Sequence, residues 1–415
     1  MRRIASFTPL DDAVRSLLSH IRVRPKVEEI RVWEGFGRVL AEEVISQVTV
    51  PPHDSSHVDG YAVRSEDVAK ASPSNPVKLR VVGTAAAGEK PGKSIGPGEA
   101  YRVLTGGYLP EGADAVIQQE DVSVKDDLIE VLSPIERGAN IDRAGRDAIA
   151  GSKILDRGHR IGAQDVGLLL RVGVRRIKVY SRPRVGVMSV GSELTDNPEE
   201  EGKTLNTHRY SIELMLKAAG AQPEYLGLAP DEEEAILSMI REGLGSCDMV
   251  LVIGGSSVSE RDLVAEILKG MKPSIFLQGV KLQPGRVVGY AVIGGKPVIM
   301  LPGHILSAIS AYTFLAYPVI RMLQGLDPKP YSFKAKARLA STIKHGRWIE
   351  FKRIVWVRVE ESEDGLVAEP RIGEASLYSI AVKSDAYTLI PENVGEVPEG
   401  SIIDIYFIPG VNHLM

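Results

Sequence analysis

The chain has 415 residues, 44% of them hydrophobic and 25% charged, which is an ordinary globular balance but too long for one compact core, so two to four domains are expected. A formal net charge of -4 argues against a general nucleic-acid binder, which needs a basic footprint. Cys247 is the single cysteine, so no intrachain disulfide and no cysteine-based zinc or iron–sulfur site can be built.

The first residues carry Arg2 and Arg3 but no apolar run, so no signal peptide is expected and the chain is read as cytoplasmic. Leu10, Val14, Leu17, Leu18 and Ile21 keep helical spacing after Thr8-Pro9, and a second helix is expected to end near Val44. Composition changes at Val48. From there to Arg143 come short β-rich runs, Lys78 to Gly83, Ala100 to Leu104, Ala115 to Gln119 and Leu128 to Leu132, separated by Gly/Pro turns. This reads as an all-β insertion, with helical pattern resuming over Gln164 to Val172.

Pro183 opens an alternation of strands (Val185 to Val190, Tyr225 to Leu228, Met249 to Ile253) and helices (Tyr210 to Ala219, Glu232 to Leu244, Leu263 to Lys269), which implies a parallel sheet covered on both faces. Two further strands flank the turn Gly294-Gly295. The apolar run Leu306 to Leu323 contains Ser307, Ser310, Thr313, Pro318 and Arg321, so a buried helix is expected rather than a membrane span. Past Pro328 and Pro330 the period becomes that of strands, as in a small β-barrel or sandwich. The expected domains are 1–46 with 146–180, 47–145, 181–328 and 329–415.

In open parallel sheets ligands collect at the carboxyl ends of strands. Three such ends carry polar, Gly-rich loops: Ser189-Val190-Gly191-Ser192-Glu193, Gly254-Gly255-Ser256-Ser257 onward to Asp262, and Leu301-Pro302-Gly303-His304. The second loop enters a helix, where free backbone N–H groups suit an anion. Glu193, Asp231 and Asp262 lie at or beyond these ends and could share a hard cation such as Mg2+. On pattern alone Asp231 reads first as the cap of the following helix, with Glu234 placed for a capping box. His53 and His57 have metal-pair spacing, but Pro51, Pro52 and Gly60 around them favour a loop. Cys247 reads as a buried side chain, and the basic run from Arg171 through Arg175, Arg176, Lys178 and Arg182 to Arg184 as a solvated linker face.

Several strings then accumulate in one order. His57-Val58-Asp59-Gly60-Tyr61-Ala62-Val63, the stretch Arg102-Val103-Leu104-Thr105-Gly106 through Pro110-Glu111-Gly112-Ala113-Asp114-Ala115-Val116, and Asn140-Ile141-Asp142 through Asp147 come first. Gly191-Ser192-Glu193-Leu194, the Gly254-to-Asp262 loop, Pro284-Gly285-Arg286 and Leu301-Pro302-Gly303-His304 follow. Together they resemble the MoeA family of molybdopterin molybdenumtransferases, over nearly the whole chain. The resemblance implies a multidomain α/β protein with a doubly wound MogA-like sheet domain, an all-β insertion domain, a helical linking domain and a C-terminal β-barrel. It implies a homodimer, with the molybdopterin adenylyltransferase as a further partner, and neither nucleic acid nor membrane as one. The implied reaction inserts molybdate or tungstate into adenylated molybdopterin with Mg2+-dependent release of AMP.

By motif position the resemblance assigns Glu193, Asp231 and Asp262 to the cation and pyrophosphate. It assigns Asp59, Thr105 and Asp147 to a polar set contributed across the dimer, and Gly254, Gly255 and Ser257 to the nucleotide phosphates. Arg286, Pro302, Gly303, Ser307, Arg353 and Ser376 are expected on the oxyanion side. The chain departs from the pattern at Gln283, Arg286 and Val287 (for K-P-G-K-P), at His304 and Ile305 (for L-P-G-N-P), at Ser192 and at Ser259. A neutral Gln283 removes one charge-assisted hydrogen bond, worth about 1.5–3 kcal/mol. A weakly catalytic pterin-binding paralogue and a Mg2+-dependent nucleotide pyrophosphatase are the alternative readings.

Overall fold

The computed structural model describes residues 6–255, 262–407 and 410. The chain divides into two compact units, one comprising Met1–Glu28 with Tyr180–Met415 and the other Glu29–Val179.

The Glu29–Val179 unit is built around a six-stranded sheet. Its strands are β1 (Gly60–Val63), β2 (Val77–Ala85), β3 (Glu99–Val103), β4 (Ala115–Gln118), β5 (Val122–Lys125) and β6 (Leu128–Val131), in the order β4-β1-β3-β2-β6-β5. Only the β2–β3 pair is parallel. The alternating apolar residues form two clusters, Tyr61, Val63, Leu79 and Ile129 in one and Ala62, Val103 and Val116 in the other. That is the period-two pattern of a sheet covered on both sides. Helix α1 (Ala163–Arg171) packs its Leu169 into a third cluster with Val32, Leu40 and Val179.

The expected second helix before Val44 is not there. Val27–Arg31 is a strand, Val32–Glu34 a single 3-10 turn, and Val44–Ile45 a two-residue strand paired with Lys153–Leu155. The β-branched and charged residues of this stretch gain more from pairing with distant segments than from helical bonds, a tertiary override of local pattern.

The other unit holds a second six-stranded sheet. In chain order its elements are α2 (Leu10–His20), β7 (Arg184–Val190), α3 (Thr207–Ala218), β8 (Gln222–Ala229), α4 (Glu233–Ser246), β9 (Met249–Gly254), α5 (Leu263–Gly270), β10 (Ile275–Gln278), β11 (Leu282–Gln283), β12 (Gly289–Ile293) and β13 (Lys296–Leu301). The sheet order is β8-β7-β9-β13-β12-β10. β8, β7, β9 and β13 run parallel, while the Gly294-Gly295 hairpin makes β12 and β10 an antiparallel edge. Val250, Val252, Ile236, Ile240 and Leu268 form the core on one face, and Val187, Leu251, Ile212 and Leu216 that on the other, so both faces are covered.

The apolar run after β13 becomes α6 (Ile305–Ala311), a π-turn (Tyr312–Ala316) and α7 (Tyr317–Leu323). Its length and composition would span a membrane, yet 89% of it is buried inside the protein. Ser310 and Thr313 each donate to the carbonyl four residues back, at 2.7 Å, so these two buried hydroxyls are satisfied within the run. The strands β14 (Phe333–Leu339), β15 (Lys352–Ser362), β16 (Gly365–Arg371), β17 (Ala386–Ile390) and β18 (Ile402–Phe407) then close into a five-stranded barrel through the β15–β17 pairing, and α8 (Tyr378–Val382) precedes β17. β11 adds to this barrel in parallel, placing Gln283 opposite Arg353.

Cys247 is buried, as expected. The basic run is spread over ion pairs, Arg171 with Asp147, Arg176 with Glu29, Lys178 with Glu42 and Arg184 with Glu224. His53 stacks edge-on against Tyr108 and His57 binds Asp142 at 3.1 Å, and no group of three potential metal ligands occurs among the described residues.

Candidate active site

A cavity of about 780 Å³ opens at the carboxyl ends of β7, β9 and β13, the size of a small-molecule site. Its wall includes Val190 and Glu193 from the loop after β7, Gly254 and Gly255 after β9, and Pro302, Gly303, His304 and Ser307 after β13. The three loops singled out in the sequence therefore converge. The remaining wall comes from Thr204 to His208, from Leu282 to Val287, and from Trp348, Phe351 and Ala375.

Gly254 and Gly255 have φ of +83° and +66°. A Cβ at Gly254 would sit 2.6 Å from the Val190 carbonyl oxygen, and one at Gly255 2.5 Å from Val264. Only glycine lets the chain turn off β9 this tightly. Ser257, predicted in the same loop, lies outside the described residues, as does Ser259.

The three carboxylates are deployed differently from the expectation. Glu193 lines the cavity. Asp231 does not cap α4, whose N-cap is Glu232 with no side-chain bond, so the capping box with Glu234 does not form. Instead its carboxylate accepts the Ser192 amide at 2.9 Å, while the Ser192 hydroxyl accepts the Asp231 amide at 3.1 Å. This reciprocal pair ties the β7 loop to the β8 loop. Asp262 is the N-cap of α5, accepting from the Ala265 amide at 3.2 Å and from the Gln278 side chain. Burial pushes its carboxyl above the usual carboxylate range, against those hydrogen bonds. Glu193, Asp231 and Asp262 thus do not gather into one cation site among the described residues. Two of the three each commit one oxygen to a backbone amide, Asp231 to Ser192 and Asp262 to Ala265.

On the oxyanion side, the Arg286 guanidinium lies 4.8 Å from the Trp348 ring centroid, a cation–π contact that holds it at the wall. Ser307 is buried in the first turn of α6, where backbone N–H groups favour negative charge. Gln283 has its side-chain oxygen buried without a partner. Arg353 does not line the cavity; it donates to the Lys344 carbonyl, and burial lowers its pKa. Ser376 is exposed, next to the wall residue Ala375.

His208 went unnoticed in the sequence. Its Nε2 is buried without a partner, its ring meets Tyr378 edge-on at 5.4 Å, and burial first and His304 second push its pKa down. The turn that presents it is fixed by Asn206, which is 2% exposed, accepts from the Ser189 hydroxyl and donates to Asp196 and Tyr225. The helix was expected to begin at Tyr210, which hid Asn206 and His208 at its entrance.

In the other unit Asp59 accepts both the amide and the hydroxyl of Thr105, at 2.7 and 2.8 Å, and these bonds, with Arg102, hold it below the usual carboxylate range. Asp147 pairs with Arg171 at 3.2 Å.

Three family models cover the chain in succession: "MoeA N-terminal region (domain I and II)" over residues 8–173, "Probable molybdopterin binding domain" over 186–322, and "MoeA C-terminal region (domain IV)" over 336–408. A molybdopterin molybdenumtransferase of Haemophilus influenzae is 30% identical over 98% of this chain and 99% of its own length.

The chain belongs to the MoeA family.

A molybdopterin molybdenumtransferase of Bacillus subtilis is 29% identical over 96% of the chain. The solved MoeA protein of Pyrococcus horikoshii OT3 superposes with a TM-score of 0.84 at 28% identity, covering 97% of the chain and all of its own. Membership confirms the multidomain α/β architecture expected of the MoeA resemblance, including the closed barrel beyond residue 330.

Proposed function

We propose that this MoeA protein is a molybdopterin molybdenumtransferase of molybdenum cofactor biosynthesis. The observation that carries the reading is the convergence of the Glu193, Gly254-Gly255, Pro284-Arg286 and Pro302-Ser307 segments on one 780 Å³ cavity at the strand ends. Its substrates are adenylated molybdopterin and molybdate or tungstate, and AMP is the released product. The tight turn at Gly254 and Gly255 lets a phosphate approach the backbone, and the α6 entrance with Ser307 and Arg286 offers donors and charge to an oxyanion.

No group of three potential ligands gathers among the described residues, but Mg2+ commonly takes only one or two carboxylates together with waters and substrate phosphates, so the cation dependence implied by the resemblance is put to the assay. The chain acts as a homodimer in this reading, with the Asp59–Thr105 pair of one copy serving the cavity of the other. The molybdopterin adenylyltransferase supplies the adenylated substrate.

The test is AMP release from adenylated molybdopterin by the purified full-length chain. Release that molybdate stimulates supports the reading; pterin binding without release, where a working family member releases AMP, overturns it in favour of a binding paralogue. Release lost in EDTA and restored by Mg2+ supports cation dependence, and full release in EDTA removes it.

A further inference from the structure

The charged residues lining the cavity, among those described, are Glu193 and Arg286, whose formal charges cancel. A tetrahedral dianion entering such a wall needs further positive charge, and position 283 offers none. Two imidazoles line the same cavity, His208 and His304. They lie close enough that a charge on His304 opposes one on His208. The His304 side chain is exposed and caps nothing at the α6 entrance. The His208 Nε2 is a buried polar atom without a partner, on a residue whose backbone is anchored through Asn206 and whose ring rests on Tyr378. Buried polar atoms are satisfied in the great majority of folded proteins, so an unpaired one in a cavity wall points to a ligand.

We propose that His208 and His304 together form the proton-carrying contact for molybdate or tungstate, supplying on binding the charge that Gln283 does not. The proposal deepens the functional reading above and rests on it. The titratable groups that bear on His208 are His304 across the cavity and Tyr378 against its ring, and Glu193 and Arg286 line the same cavity. In the empty cavity, burial and His304 favour the neutral imidazole. A dianion beside the pair reverses that balance, so the oxyanion enters with a proton taken from solvent. A neutral imidazole pair or a simple Arg286 contact would instead bind the anion with no proton uptake.

The experiment is calorimetric titration of the full-length chain with sodium tungstate, in two buffers of different ionisation enthalpy, between about pH 6 and pH 8. The expected result is net uptake approaching one proton per tungstate, and a Kd that weakens up to about tenfold per pH unit. H208N and H304N abolish the uptake and flatten the pH profile. H304N alters an exposed side chain and keeps the test valid should H208N fail to fold. A pH-independent Kd, proton uptake retained in both variants, or no tungstate binding at any pH overturns the proposal. Molybdate-stimulated AMP release alongside a flat profile would sink this inference alone and leave the transferase reading standing.

Discussion

Asp262 separates a structural carboxylate from a catalytic one. Asp262→Ala removes the N-cap of α5, a loss of about 0.5–2 kcal/mol, and strands the Gln278 amide in a partly buried position, a further ~1–3 kcal/mol. The expected destabilisation is therefore about 1.5–5 kcal/mol, the sum of those two ranges. Asp262→Asn keeps the oxygen that caps Ala265 but sets an NH2 against the Gln278 side-chain amide, so it is expected to lose only the second contribution, about 1–3 kcal/mol. The pH dependence follows from the raised carboxyl. The folded chain holds this proton more tightly than the unfolded one, so the group's contribution to stability falls as pH rises from its ordinary value, 3.8, through the raised one. Asp262→Asn abolishes that decline. The assay is urea unfolding in a Trp33→Phe background, because Trp348 and Trp356 then report only on the unit that holds α5. Asp262→Ala as stable as the parent would refute the capping argument. Asp262→Asn that is stable but releases no AMP would show that this carboxylate also has a catalytic task.

Gly254→Ala should cost about 1–2 kcal/mol from its left-handed backbone alone, with more from the contact to the Val190 carbonyl, and should abolish pterin binding measured by fluorescence titration. Gln283→Lys is expected to tighten tungstate binding roughly tenfold or more, since it adds a charge-assisted bond worth about 1.5–3 kcal/mol; unchanged affinity in calorimetry would show that position 283 does not limit the site. Thr105→Val removes one of the two bonds that depress Asp59, so the Asp59 pKa should rise toward 3.8, as read from its carboxyl carbon shift by NMR. The stability that Asp59 contributes is lost as pH falls from 3.8 through its lowered pKa, and in the variant that loss should be smaller and complete at a higher pH. Mixing inactive Asp59→Asn and Glu193→Gln chains should restore AMP release to roughly a quarter of the parent if sites are shared across a random homodimer, and no recovery would mean that each copy serves itself.

The periodicity of the chain carried the sheet unit. Apolar runs such as Met249 to Ile253, bounded by glycines and followed by helical pattern, have one good solution, a parallel strand whose carboxyl end carries the polar loop. The long helix after His304 was legible as buried because its hydroxyls can bond back within the same helix. What sequence could not reveal was the use of each side chain. Whether Asp231 caps its own helix or bonds Ser192 depends on how closely the β7 and β8 loops approach. Whether Arg353 faces the cavity or the Lys344 carbonyl depends on how β11 joins the barrel. His208 enters the site only because α3 starts three residues earlier than its apolar spacing suggests, with Asn206 locked to Ser189, Asp196 and Tyr225. Those choices are made by contacts between segments far apart in the chain, whose geometry exists only once the sheet and barrel have closed, whereas strand and helix periods are local and survive in the sequence itself.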